Sequence, residues 1–177
     1  MSALMVDRYE GALAAAHDAA TNVIILDPER RRTRVSAVVL HMRGISVLET
    51  AAEWRPTTDD GVLAAIVEST LRDGDGAPCW DDDELAARDA SRAAAQLSGM
   101  AGDSPLVLAG GSQGAGHAIR LAIDGSIPGV IGFLAIVGVT RLELISSQLP
   151  AAAARGLRGY MVAGQRDTSV LGPGFRS

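Results

Sequence analysis

Lysine is absent from this chain of 177 residues, and cysteine and histidine are scarce. All 16 basic residues are therefore arginine, which together with plentiful alanine and glycine is typical of GC-rich bacterial coding. The single cysteine, Cys79, excludes an internal disulfide and lacks partners for a zinc cluster.

The charge balance and the lack of long apolar runs exclude two further classes. A formal net charge of −5 provides no basic surface for nucleic acid or an anionic membrane. The longest apolar stretch, residues 130–139, is too short to cross a bilayer and contains two glycines. The early acids Asp7 and Glu10 do not fit a signal peptide. We expect a cytoplasmic protein that binds neither nucleic acid nor membrane.

The length favours one domain with a real buried core, residues 1–177. Residues 1–22 are predicted to contain an N-terminal helix, because the segment is alanine-rich and places Tyr9, Leu13 and Ala16 near one face. Residues 23–177 are predicted to form a sheet with its helices. No internal repeat, low-complexity tract or linker interrupts them.

Short apolar runs separated by helical patterns indicate an α/β fold. Strands are predicted over residues 23–26, 35–40, 62–67, 105–109, 130–137 and 159–163. Helices are predicted from residue 50, over 81–97, from 115, and, as helix or loop, over 142–154. Because the strand runs do not alternate with polar residues, they favour a mostly parallel central sheet with helices on both faces.

The most informative segment surrounds Ser112, which lies in Gly110-Gly111-Ser112-Gln113-Gly114 directly after a buried strand. This G-x-S-x-G pattern is typical of a nucleophile at a sharp strand-to-helix turn. The flanking glycines are needed because a Cβ there would crowd a strained turn. The helix start supplies free N–H groups for an oxyanion.

Asp167 is the candidate acid that would orient a catalytic histidine. It follows the last predicted strand through Gly164, Gln165 and Arg166, and therefore lies at the carboxyl end of a parallel sheet, where ligand-binding loops gather. It also follows the serine in chain order, as this triad arrangement requires. The alternative is that Asp167 caps a local turn.

Two backbone N–H groups are candidate oxyanion donors. One belongs to Gln113, the residue after the nucleophile. The other belongs to Met42 or Arg43, in the loop after the strand over residues 35–40. The alternative for this loop is a plain turn that ends at Gly44.

The catalytic base is the member of the triad for which the sequence offers no good candidate. The chain has only three histidines. His17 is remote in sequence from the predicted loops, and His117 lies in the helix behind Ser112, where a packed or surface role is expected. His41 borders the predicted site, but we expect it mainly to anchor its loop. None of the ten residues after Asp167 is histidine.

Other motifs are weaker, and we predict neither a cofactor nor a metal. The glycines near Ser112 do not complete a dinucleotide fingerprint, and no G-K-[ST] sequence supports a P-loop. The acids at residues 81–84 are predicted to face solvent at a helix start, since four consecutive positions cannot converge on one ion. Cys79 and Trp80 are predicted either to edge the cleft or to pack in the core.

Four segments carry a resemblance to a known family: residues 106–114 (LVLAGGSQG), 40–44 (LHMRG), 163–167 (AGQRD) and 79–81 (CWD). They resemble the nucleophile elbow, the oxyanion loop, the acid loop and the loop before the preceding helix of the α/β-hydrolase superfamily. Within it, the chain is similar to the small carboxylesterase/phospholipase and dienelactone-hydrolase-like serine esterases. The resemblance runs from about residue 23 to the C-terminus.

The resemblance implies transfer of an acyl group to water through an ester of Ser112, with Asp167 as the orienting acid and Gln113 and Met42 or Arg43 as oxyanion donors. Two departures accompany it. Met42 stands where the family usually has glycine, and the family's C-terminal histidine segment would lie beyond residue 177. A missing edge element would expose a strand edge and apolar surface, with homo-oligomerisation as a natural consequence.

The leading hypothesis is therefore a cytoplasmic serine hydrolase of a small carboxylic ester or thioester, its only expected partners being that substrate and a second copy. The alternative is a non-catalytic binding or interaction protein of the same fold that lacks the base. A nucleotide-binding Rossmann-like domain is the third and weakest interpretation.

Overall fold

Seven strands form one sheet in the computed structural model, which describes residues 17–18, 22–26, 33–138 and 142–164. They are β1 (His17–Asp18), β2 (Val23–Leu26), β3 (Val35–Leu40), β4 (Val62–Val67), β5 (Leu106–Gly111), β6 (Val130–Ile136) and β7 (Arg158–Val162). Their order across the sheet is β1-β2-β4-β3-β5-β6-β7. Strands β3 to β7 are mutually parallel, whereas β2 pairs antiparallel with β4 and β1 antiparallel with β2. The predicted mostly parallel sheet is confirmed.

Five helices accompany the sheet in the described chain. They are α1 (Val47–Trp54), α2 (Asp83–Ala101), α3 (Ser112–Asp124), α4 (Leu142–Ile145) and α5 (Leu149–Ala154), with 3-10 turns at Arg55–Asp60 and Ser146–Gln148. One apolar cluster joins α2 and α3 to one face of the sheet, and a second joins α1 to the other face. The prediction of helices on both faces is therefore also confirmed.

Burial on both faces explains why the central strands read as continuous apolar runs. In β3 and in β4, every residue after the first is buried. Val38 and Leu40 pack toward α2 and α3, while Ala37 and Val39 pack toward α1. A strand covered on only one side would alternate apolar and polar residues instead.

Helix α2 begins where its acids predict it, at the carboxyl-rich segment before residue 85. The Asp82 side chain caps the helix, because its Oδ1 accepts from the backbone N–H groups of Glu84 and Leu85, each at 2.9 Å. Helix α1 begins with a capping box formed by Ser46 and Glu49. These local contacts fix where the chain leaves the loops that border the site.

The predicted N-terminal helix requires a correction in the part that the structure describes. His17 and Asp18 form the strand β1, paired with Ile24 and Val23 of β2. Backbone hydrogen bonds to the neighbouring strand thus override the alanine-rich helical pattern at these two positions. The other residues of that predicted segment, except Asn22, lie outside the described ranges.

Strand β7 closes the described order of the sheet and is exposed along its whole length. Tyr160 is 69% exposed, and Met161 and Val162 are also exposed large apolar residues. Ile131 of the neighbouring strand β6 adds to this apolar surface at 53% exposure. In the described chain, β7 therefore presents large apolar side chains to solvent.

Glycine allows α3 to approach β3 and β5 closely. A Cβ on Gly114 would run into the backbone carbonyl oxygens of Leu40 and His41. A Cβ on Gly110 would lie 2.6 Å from the carbonyl carbon of Gly114. Both neighbours are backbone, which cannot move without displacing the strand or the helix.

We expect Gly114→Ala to destabilise the fold by about 1–3 kcal/mol or more, because the new methyl group overpacks a backbone contact. Gly99→Ala is the matched control: Gly99 lies in α2, and a methyl group added there would meet no atom within 4 Å. That change should stabilise by about 0.5–1 kcal/mol through helix propensity. Urea unfolding measures both, and equal effects of the two substitutions would contradict the packing argument.

Candidate active site

Ser112 lies at the junction of β5 and α3 in a strained backbone conformation. Its φ is +46°, in the left-handed region that residues other than glycine seldom adopt, while Gly111 before it is extended. The chain turns directly from the strand into the helix at this residue, which is half-buried. The predicted nucleophile elbow is therefore present in its backbone geometry.

A second strained residue lies beside the elbow. Val137 has a φ of +46°, which is a pronounced outlier for a β-branched side chain. Gly111 pairs with Ile136 in the parallel register of β5 and β6, so Val137 follows at the position next to Ser112. Strain of this kind clusters at functional sites, and here it marks the ends of two adjacent strands.

The predicted oxyanion donors lie at the same end of the sheet as Ser112. Gln113 is in the first turn of α3, where backbone N–H groups have no partner within the helix. Met42 and Arg43 follow β3, whose last residue Leu40 pairs with Gly110 of β5. Within the described chain, no backbone carbonyl accepts from the N–H of Met42 or Arg43.

The Met42 side chain fills space that Gly111 leaves open. A Cβ on Gly111 would lie 2.5 Å from Met42 Cε and 2.7 Å from Met42 Cγ. The thioether therefore lies across the residue that precedes the nucleophile. Methionine fits at position 42, where the family usually has glycine, because Gly111 has no side chain to collide with it.

His41 is buried and committed to the backbone through both ring nitrogens. Its Nδ1 lies 2.6 Å from the carbonyl oxygen of Met42, and its Nε2 accepts from the N–H of Ser69 at 3.1 Å. Because a carbonyl only accepts, the proton is on Nδ1. Burial lowers the pKa of His41, partly offset by the bond to Met42, and the neutral form is favoured. His41 anchors its loop, as predicted, and presents no ring nitrogen to Ser112.

His117 also points away from the elbow. Its Nε2 lies 2.7 Å from the carbonyl oxygen of Trp80, and its Nδ1 lies 3.5 Å from both Asp83 Oδ1 and an Nη2 of Arg120. Desolvation by burial lowers the pKa of His117. The predicted packed role agrees with these contacts.

His17, the remaining histidine, lies in β1 near the opposite edge of the sheet. Four strand-to-strand steps separate β1 from β5, which corresponds to about 19 Å between the strands. Asp167, the predicted acid, lies outside the described residues.

Trp80 connects the loop after β3 to the start of α3, a role that the sequence did not reveal. It is 2% exposed, which decides between the two predicted roles in favour of the core. Its Nε1 donates to the carbonyl oxygen of His41 at 2.9 Å, and its backbone N–H donates to Gln113 Oε1 at 2.9 Å. The rings of Trp80 and His41 lie 4.7 Å apart. The only hint of this role in the sequence was that residues 79–81 (CWD) belong to the segments that resemble the family.

The acids before α2 serve protein contacts. Asp81 Oδ1 accepts from Arg43 Nη1 and from Gln113 Nε2, each at 2.6 Å. Asp82 caps the helix, and Asp83 lies 3.3 Å from Arg120 Nη2. The ranges that the structure describes contain no group of three or more side chains able to hold a metal ion. Within the same ranges, no helix is long and apolar enough to cross a membrane.

Comparison with known proteins identifies the fold. Neither a protein-family model nor a curated protein sequence matches the chain. Acyl-protein thioesterase 2 of Zea mays is 19% identical, with a TM-score of 0.62, over 84% of this chain and 78% of that one. An uncharacterized protein of Bacillus cereus ATCC 10987 is 16% identical, with a TM-score of 0.70, over 80% and 47%.

A soluble variant of the monoglyceride lipase of Saccharomyces cerevisiae is 12% identical, with a TM-score of 0.53, over 66% of this chain and 41% of that one. At these identities the likeness concerns the fold. The chain has the α/β-hydrolase fold, as the resemblance implied.

We expect the free energy of unfolding to fall as the pH drops below about 6.5, because His41 and His117 then take up protons in the unfolded chain but stay neutral in the folded one. For each histidine, this loss of stability amounts to up to about 1.4 kcal/mol between pH 7.5 and 5.5, and it ends when the pH reaches the lowered pKa of the folded state. Urea unfolding across this range measures the slope.

His117→Gln should make the free energy of unfolding less dependent on pH, because it removes one of the two histidines. His41→Gln should do the same for the other histidine, where the variant folds. The absolute stability of each variant is not the readout, since both changes also remove hydrogen bonds. A slope that neither substitution alters would contradict the assignment.

Proposed function

We propose that the chain is a serine hydrolase that acts on a small carboxylic ester or thioester through an acyl-serine intermediate. The observation that carries the proposal is Ser112 at φ +46° between β5 and α3, with the donor-bearing loop after β3 beside it. A carboxylesterase activity and a cytoplasmic location, expected from the sequence, belong to the same proposal.

In the proposed reaction, Ser112 Oγ attacks the carbonyl carbon of the substrate and loses its proton to a base. The N–H groups of Gln113 and of Met42 or Arg43 donate to the oxyanion that forms. The leaving alcohol or thiol departs with a proton, and water then hydrolyses the acyl-serine ester. Asp167 would orient and stabilise the protonated base.

Two observations support the substrate class. The names of two structural neighbours, a thioesterase and a monoglyceride lipase, denote enzymes that cleave thioesters and esters. The Met42 thioether fills the space beside Gly111, the residue before Ser112. The names favour an ester or thioester, and the filled space next to the elbow favours a small one.

Neither His41 nor His117 is free to act as the base, because their ring nitrogens are engaged elsewhere. A site with an oxyanion hole but no base retains part of its rate enhancement. Ser112 should therefore react slowly alone and faster when a base is provided.

We expect a fluorophosphonate to form one slow adduct with the protein, and imidazole to accelerate its formation by serving as the missing base. Intact-mass spectrometry follows the adduct over time. Ser112→Ala should take no adduct with or without imidazole. Ser126→Ala, which changes an exposed serine at the far end of α3, should react like the parent.

An adduct that persists in Ser112→Ala would overturn the proposed nucleophile. No adduct on the parent even with imidazole would favour the alternative, a non-catalytic binding protein of the same fold. An adduct that forms rapidly without imidazole would show that a working base already serves Ser112, and would contradict the roles given to His41 and His117.

A further inference from the structure

Two side chains from separate segments meet on the carboxylate of Asp81. Arg43 Nη1 and Gln113 Nε2 each lie 2.6 Å from the same oxygen, Asp81 Oδ1. Arg43 comes from the loop after β3, Gln113 from the first turn of α3, and Asp81 from the loop before α2. We call these three residues the Asp81 clasp.

The clasp is fixed to the buried core through the Gln113 amide. Gln113 Oε1 accepts from the backbone N–H of Trp80 at 2.9 Å, while its Nε2 donates to Asp81. Both ends of the amide are thereby held in one orientation. Trp80 is in turn bonded through Nε1 to the carbonyl oxygen of His41, at the base of the Met42 loop.

The same residues carry the candidate oxyanion donors. Gln113 supplies one N–H from its own backbone, and Arg43 or its neighbour Met42 supplies the other. The separation of these N–H groups depends on how the loop after β3 is held against the start of α3. Asp81 is the group through which the side chains of Gln113 and Arg43 are connected.

We propose that Asp81 is a positioning residue that sets the distance between the two oxyanion donors. This inference rests on the proposed hydrolase function. Asp81 does not touch the reacting atoms; it acts through Arg43 and Gln113.

The electrostatics of the clasp agree with this role. The bond from Arg43, followed by the bond from Gln113, lowers the pKa of Asp81, so its carboxylate is ionised at neutral pH. Arg43 has a second acidic neighbour, because its Nη2 lies 3.7 Å from Asp73 Oδ2. Loss of Asp81 would therefore leave Arg43 with a competing partner away from α3.

The clasp contributes little to overall stability, which makes its positioning role separable by experiment. The side chains of Arg43 and Asp81 are 46% and 47% exposed. Exposed ion pairs of this kind contribute little to the free energy of unfolding. A change at Asp81 should thus leave the protein folded while the loop after β3 shifts.

The test compares Asp81→Ala, Arg43→Gln and their double variant with the parent; alanine removes the oxygen to which both side chains donate. We expect Asp81→Ala to slow imidazole-assisted fluorophosphonate labelling by about tenfold to a hundredfold, since misplaced donors lose stabilisation of the oxyanion. Arg43→Gln should lose less, because the Gln113 bond remains, and the double variant should lose no more than Asp81→Ala alone. Glu84→Gln, an exposed neutralisation nearby in α2, is the control and should label like the parent.

Amide hydrogen exchange provides a readout that does not depend on reactivity. Asp81→Ala should accelerate exchange at Gly44 and Ile45, whose N–H groups donate to the carbonyl oxygens of Pro78 and Met42, with the urea midpoint almost unchanged. Exchange at these amides equal to that of the parent would overturn the inference, as would a double variant whose loss is the sum of the single losses.

Failure of the inference can be distinguished from failure of the proposed function. If the parent takes no adduct with imidazole, the proposed function fails and the positioning role fails with it. If the parent is labelled at Ser112 and Asp81→Ala is labelled at the same rate, the inference alone is overturned.

Discussion

The contact between α3 and the end of β3 is the constraint on which the candidate site depends. The turn at Ser112 sends the chain from β5 into α3 without a loop, so the first turn of the helix must pass directly over the neighbouring strand. Gly114 meets the carbonyl oxygens of Leu40 and His41 at this crossing, where any side chain would force the backbones apart. The close approach places the Gln113 N–H and the loop after β3 at one end of the sheet.

Around this crossing, the polar groups of Trp80 join segments that are far apart in sequence. Its N–H, carbonyl and indole groups bond to Gln113, His117 and His41. The two histidines are therefore part of the structural support, and burial keeps them neutral there. Neither of these two histidines presents a ring nitrogen to Ser112.

Much of the fold was predictable because its signals are local. The mostly apolar runs of β3 and β4, which do not alternate with polar residues, indicated a sheet covered on both faces, and the acids at residues 81–84 located the start of α2. The elbow at Ser112 was predictable because the turn has no room for a Cβ at positions 110 and 114, and the sequence has glycine at both. The helical pattern around His17 was misleading, since pairing with β2 is a long-range contact that an alanine-rich segment does not encode.

The sequence by itself determined the α/β architecture and the sharp turn at Ser112, because the first follows from apolar periodicity and the second from the glycines around the serine. Only the tertiary structure decided that His41 and His117 are engaged with backbone groups, that Met42 covers Gly111, and that Asp81 connects Arg43 to Gln113. Those relations join residues that are far apart along the chain. Side-chain direction and shared hydrogen-bond partners arise only when the sheet brings such segments together, since no local pattern specifies them.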